Sequence, residues 1–223
     1  MLIVEELFLL LRRDDGKAES ATSQNGYGLA AAVVTDLVLA EKVTLSDDKD
    51  PRMAVVSPAP AGHPALDVAL ARLVEKDGKK LSSLVTDRRL NVEHEVAEAL
   101  SSAGVVRVEE KRALGLVPAR YPILDPEPER RVRERLRTVL AGGTPQPADA
   151  TLLSVLQGLG LVGKVLADEK GGLGRRDLKR RIEEVSTDVQ AGAAVAKAVQ
   201  AMNTAIMTAA ILPAIAAGGA AGS

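Results

Sequence analysis

Between Asp125 and Gly143 the sequence reads DPEPERRVRERLRTVLAGG, with Val132, Leu136, Val139 and Leu140 at helical spacing among a dense run of charge. That spacing gathers the four apolar side chains on one face of an α-helix and leaves the charges on the other, which a period of two would not do. Asp125 stands where an N-cap carboxylate would accept an orphan amide of the first turn. A chain that must fold around this segment has to bury a helical face against other helices.

The same period recurs along the chain. Residues 2–13 place Ile3, Leu7, Leu10 and Leu11 on one stripe, with Glu5 and Glu6 near the start and Arg12 and Arg13 at the end, as the helix dipole prefers. The segments 28–42 and 65–76 read as helices, and Val92, Val96, Ala99 and Leu100 mark another that closes at Gly104. Further helices are expected over 149–167, 174–186 and 188–216. KVTLS and RMAVVS flank DDKDP and predict a small hairpin. A second hairpin is expected from VVRVEEK and the segment EKRALGLVPARYPILD, in which Pro118 suits an edge position and Pro122 leads toward the next helix. The fold class is mainly α, a single compact helical domain over residues 1–223 with small β-hairpins.

Composition closes several routes. With 46% apolar residues in 223, the chain can bury a substantial core. The 29 basic and 30 acidic residues leave a formal net charge of -1, so no global field recruits nucleic acid or an anionic membrane, and such binding needs a local patch. Cysteine is absent, which removes disulfides, thiolate metal sites and cysteine nucleophiles and accords with a cytoplasmic setting. Phe8, Tyr27 and Tyr121 are all the aromatic residues, too few for base-stacking platforms or membrane-interface belts. The N-terminal apolar run is interrupted by Glu5 and Glu6 and is not read as an export signal. The uncharged stretch Ala198–Ser223 is rich in alanine and glycine and interrupted by Asn203, Thr204, Thr208 and Pro213, so it is expected to be a core helix rather than a membrane span.

Motif-like segments mostly have structural readings. GLGLVGK matches G-x-G-x-x-G through Gly158, Gly160 and Gly163, but a helix-like segment precedes it where a dinucleotide site needs a strand, so its glycines are expected at a close helix contact. GGLGRRDLKRR, with Arg175 and Arg176, reads first as a linker before a solvated helix and second as a phosphate-binding helix start. His63 lies in a proline-rich loop, and His94 is flanked by Glu93 and Glu95, which point away from it on a helix. No metal site, cofactor or catalytic residue is expected, and the chain is read as a non-enzyme. Residues 90–123 have the helix-then-hairpin outline of a winged helix, yet the helix carries Glu93, Glu95 and Glu98 and no base, so nucleic acid is not an expected partner.

Taken in order, LIVEELFLLL, GLAAAVVTDLVLAEKVTL, the helix ending AGVV with its hairpin, PERRVRERLRTVL, TLLSVLQGLGLVGKVL and AKAVQAMNTAI resemble the Golgi phosphoprotein 3 family over nearly the whole chain. The composition, rich in alanine, arginine and aspartate, suits a bacterial member. The resemblance implies a mainly helical domain that binds membranes peripherally by recognising phosphatidylinositol 4-phosphate. It also implies an adaptor role, cytoplasmic and peripheral on a membrane, at the Golgi only in a eukaryote. An apolar hairpin tip would meet the bilayer, and the matching segment is 113–118. Its headgroup ligands are only partly matched. An arginine after the GL of the second helix is Ala30 here, two arginines three apart before GV are Leu90 and Glu93, and a tryptophan ahead of the second helix has no counterpart. Arg88 and Arg89, just upstream, are the substitutes expected.

Burying Leu114, Leu116 and Val117 in acyl chains would give roughly 1.5–3 kcal/mol each. Lys111, Arg112 and Arg120 would each add about 1 kcal/mol near an anionic surface. Association costs absorb much of this, so the expected contact is weak, reversible and salt-sensitive. The expected partner is an anionic phospholipid or phosphoinositide surface, with a protein client besides. The alternative is a winged-helix-like regulator or protein-interaction module, its hairpin serving as a homo-oligomer or partner interface.

Overall fold

The computed structural model describes residues 1–20, 22–110, 119–187, 200, 201, 204 and 205. At its centre lies α1 (Ile3–Leu10), packed against α2 (Thr22–Leu39) and, further along the chain, against α5 (Glu93–Ser102), α6 (Glu127–Leu140) and α7 (Pro147–Gly158). The sequence stripe Ile3, Leu7, Leu10 and Leu11 understates its burial. Val4, Phe8 and Leu9 are each 0% exposed as well, so α1 is enclosed on every side rather than amphipathic.

An enclosed helix needs its terminal amides satisfied from elsewhere. Asp36 of α2 provides this: its two carboxylate oxygens accept from the amides of Ile3 and Val4, each at 2.9 Å. The amide of Leu2 donates to Glu5 Oε2 at 2.8 Å. Glu6, also nearly enclosed, receives Arg135 of α6 through two bonds, at 3.1 and 2.6 Å. The Nε of the same guanidinium bonds to Asp149, which sits at 0% exposure in the first turn of α7. Three helices are thereby joined through one arginine.

Helix α2 begins at Thr22, earlier than the sequence period indicates, and continues through Gly26 and Gly28. Gly28 has a packing reason: a Cβ there would lie 2.9 Å from Leu159 Cδ1 and 3.3 Å from Val155 Cγ1. The close helix contact expected of GLGLVGK is therefore made from the other side. Gly160 and Gly163 would place a Cβ in open space, and Gly160, at φ +71°, instead ends the α7 segment before the short α8 (Val162–Val165). With α7 ahead of these glycines, the strand a dinucleotide site requires is missing from its place.

The first hairpin forms as expected, β1 (Val43–Leu45) against β2 (Met53–Val55) in antiparallel register with Val43 opposite Val55. Next come α3 (Pro64–Val74) and the short α4 (Leu81–Val85), and a 3-10 turn at Arg88–Leu90 leads into α5. His63 caps α3, its Nδ1 accepting from Ala65 at 3.3 Å while Nε2 lies 3.2 Å from Glu5, a structural role. In α5 it is Ala97 rather than Ala99 that joins Val96 and Leu100 in the buried face. The N-cap of α6 is Pro126 rather than Asp125, although Asp125 one residue earlier accepts from the Glu127 amide at 3.0 Å, and Val132, Leu136, Val139 and Leu140 are all buried as their spacing predicts. Arg175 and Arg176 open α9 (Arg175–Thr187) from an exposed position. The helix expected over 188–216 lies outside the described residues except at 200, 201, 204 and 205, of which Ala201 and Ala205 are buried. One hydrophobic cluster extends from Ile3 to Ala205.

Candidate functional site

The second hairpin is present as a short stem. Glu109 and Arg120 exchange both backbone hydrogen bonds, at 2.9 and 3.0 Å, and the Arg107 amide donates to the Pro122 carbonyl at 2.9 Å. Among the described residues the pairing is confined to isolated bridges at Val106–Ile123 and Glu109–Arg120, so residues 105–110 do not form a continuous strand. Lys111, Arg112, Leu114, Leu116 and Val117, the contact residues expected from the sequence, lie outside the described residues, whereas Arg120 is exposed at the end of the stem.

The stem is held by the turn that follows α1. Gly16 accepts from the Tyr121 amide at 3.1 Å, and at φ +76° it occupies a conformation that favours glycine. A Cβ at Gly16 would fall 2.3 Å from the Pro122 nitrogen and 2.5 Å from the Tyr121 carbonyl carbon. Backbone therefore lies directly on backbone, and any side chain would prise the hairpin away.

Between this turn, the start of α5 and the stem runs a groove of about 700 Å³, walled by Arg12, Arg13, Lys17, Asn91, Glu93, His94, Glu110, Arg120 and Tyr121 among others. Its floor is Arg12, whose side chain is 1% exposed and ion-paired with Glu93. The guanidinium lies 4.5 Å from the Phe8 ring centroid and 5.2 Å from that of Tyr121. The two rings meet edge to face at 5.3 Å. Two of the chain's three aromatic residues are thus spent on holding one arginine. Burial pulls the Arg12 guanidinium below its ordinary value, with Glu93 and then Tyr121 opposing. Burial and Glu93 push the Tyr121 hydroxyl up to about 12, so it stays a neutral donor.

The outer wall is mixed in charge. Arg13 and Lys17 share Asp15, at 3.7 and 2.8 Å, while Arg120 makes no ion pair among the described residues. His94 and Glu110 of the groove wall and Glu98 nearby bring one ligand atom each to within 4.8 Å of one another. Glu93 and Glu95, the sequence neighbours of His94, here pair with Arg12 and Arg72 instead. The signal that points to this cluster is the i, i+4 relation of His94 and Glu98; Glu110 joins them only through the hairpin.

The residues matching the family's headgroup ligands do not supply a basic pocket. Ala30 and Leu90 are buried in the core, and the charge of Glu93 is spent on Arg12. Arg88 and Arg89 are exposed on the 3-10 turn before Asn91, and neither is among the groove's walls; Arg89 lies 3.6 Å from Asp87.

The chain is thus a mainly helical domain that carries a hairpin beside an open, mixed-charge groove. Residues 3–202 match the family model of Golgi phosphoprotein 3, and the chain belongs to that family. No curated protein matches it. Among the described residues no helix is long and apolar enough to cross a membrane.

Proposed function

We propose that this chain acts as one non-enzymatic domain that attaches peripherally to an anionic lipid surface through the hairpin and the basic part of the groove. The observation that carries this reading is the position of the stem. Glu110 and Ala119, the residues on either side of the segment KRALGLVP, both wall the groove beside Arg13, Lys17 and Arg120. An apolar insertion of Leu114, Leu116 and Val117 would then be accompanied by Lys111, Arg112 and Arg120 as charge contacts within reach of lipid phosphates. Arg88 and Arg89 are further solvent-facing bases for the same surface.

With Ala30, Leu90 and Glu93 at the family's headgroup positions, recognition of phosphatidylinositol 4-phosphate is the less supported part of the family's activity. We propose general anionic-lipid attachment instead. Sedimentation with vesicles of phosphatidylcholine, with added phosphatidylserine or with added phosphatidylinositol 4-phosphate, separates these. Equal binding to both anionic vesicles at matched charge, lost at high salt and on Leu114→Asp or Leu116→Asp in folded protein, is the expected result. Binding that requires the phosphoinositide overturns the general reading, and binding indifferent to both substitutions removes the role of the hairpin. A homo-oligomer formed through the hairpin is the second reading, and it predicts that the same substitutions change the sedimentation coefficient without lipid.

A further inference from the structure

We propose that His94, Glu98 and Glu110 form a site for a zinc-like divalent transition metal that ties the hairpin stem to α5. His94 and Glu98 stand one turn apart on the same exposed face of α5, the spacing at which two helical side chains converge on one ion. Glu110 comes from the stem, one residue beyond the Glu109–Arg120 bridge, so the third ligand belongs to a different element. Their ligand atoms lie within 4.8 Å of one another. Zinc bonds of about 2.0–2.2 Å need ligand atoms a little over 3 Å apart, which exposed side chains reach by rotamer adjustment. Neither Glu98 nor Glu110 has a basic partner among the described residues, and the two carboxylates repel until a cation lies between them.

The donor set selects the ion. One imidazole with two carboxylates suits zinc and its neighbours, whereas calcium and magnesium take oxygen ligands alone. Because His94 and Glu110 also wall the groove, the remaining coordination position is open to water or to an oxygen of a ligand lying there. Three protein ligands with an open position is the pattern of an accessible rather than a sealed structural zinc site. A metal held there would fix the first arm of the stem against α5, whereas the bridges Val106–Ile123 and Glu109–Arg120 join the two arms of the stem to each other. The site does not depend on whether the groove meets a membrane.

The test uses the full chain freed of metal and titrated with Zn²⁺ by calorimetry, with Co²⁺ as a visible-absorption probe. One equivalent is expected to bind, with a Co²⁺ ligand-field band. His94→Ala and Glu110→Gln should each weaken binding by about tenfold or more. Asp168→Asn, an exposed acid outside the cluster, should leave it unchanged. All of these residues are exposed, and circular dichroism checks that each variant folds. Zn²⁺ is also expected to slow hydrogen exchange at the Glu109 and Arg120 amides in the unsubstituted chain. Binding that survives His94→Ala, or that Ca²⁺ and Mg²⁺ match, overturns the metal site. Binding without slower exchange at those two amides overturns the tie between stem and helix.

Discussion

Arg12, two residues beyond α1, and Glu93, in the first turn of α5, form an ion pair across 81 residues of sequence at the floor of the groove. Glu93 stands where the family resemblance implies an arginine, and the arginine beside it is Arg12, just beyond α1. That guanidinium faces inward, against the Phe8 and Tyr121 rings and the Glu93 carboxylate.

Glu93→Ala should therefore be costly although Glu93 lies at the groove wall. It leaves Arg12 charged and enclosed without a counterion, for which about 3–5 kcal/mol is the usual loss. Urea unfolding is expected to show that loss. The double variant Arg12→Met, Glu93→Leu should recover most of it, because it removes the buried charge with its partner. If Glu93→Ala unfolds at the same urea concentration as the unsubstituted chain, the pair is not what holds Arg12.

Gly16→Ala tests the seam between the turn and the hairpin. Strain at positive φ alone costs more than about 1 kcal/mol, and the approach to Pro122 and Tyr121 requires backbone to move as well. The expected outcome is faster hydrogen exchange at the Tyr121 amide, which Gly16 otherwise accepts at 3.1 Å, together with a lowered Tm. Gly62→Ala is the comparison: its φ is +82°, but nothing lies within 4 Å of the added carbon, so it should show the strain without the change at Tyr121.

The helical architecture was legible because apolar spacing is local: Val132, Leu136, Val139 and Leu140 declare one face within a single segment, and all four are buried. Local spacing fails where a helix has no solvent face. The stripe in α1 suggested amphipathicity, but Glu6 is nearly enclosed because Arg135, far along the chain, meets it there. The groove was hidden for the same reason. Its members come from just beyond α1, the turn at Gly16, the start of α5 and the stem, and no sequence window contains them all. The glycines of GLGLVGK illustrate the reverse error, since a motif gathers small residues without saying whether anything approaches them.

Arg135 makes a stronger structural prediction than its partly exposed position suggests. Burial lowers its affinity for the proton, but Glu6 and Asp149 more than offset this and raise it above the ordinary arginine value. Arg135→Ala should cost about 3–5 kcal/mol by stranding two enclosed carboxylates on different helices. Arg135→Lys should restore little of it, because one ammonium cannot reproduce the forked contact with Glu6 together with the Nε bond to Asp149. Chemical denaturation of both variants checks this, and a lysine variant as stable as the original would show that charge alone suffices.

Asp36 gives the pH dependence. Desolvation pushes its carboxyl from the ordinary 3.8 to about 7, against the amide bonds from Val4 and Ile3, with Glu5 and Glu6 adding to the rise. Between those two values the folded chain holds a proton that the unfolded chain has released, so this group's contribution to stability is full at the acid end and falls as pH rises toward 7. Each unit of difference is worth about 1.4 kcal/mol, so the total change amounts to a few kcal/mol at most. Asp36→Asn has no proton to lose. It should cost about 1 kcal/mol at pH 5, where an amide oxygen replaces one of two acceptors, and it should gain on the unsubstituted chain as pH is raised to 8. Unfolding free energies of both chains at pH 5, 6, 7 and 8 give the difference directly, with other titrating groups cancelling. A difference that stays constant across that range would mean that Asp36 is already ionised at pH 5 and that the amides at the start of α1 outweigh its desolvation.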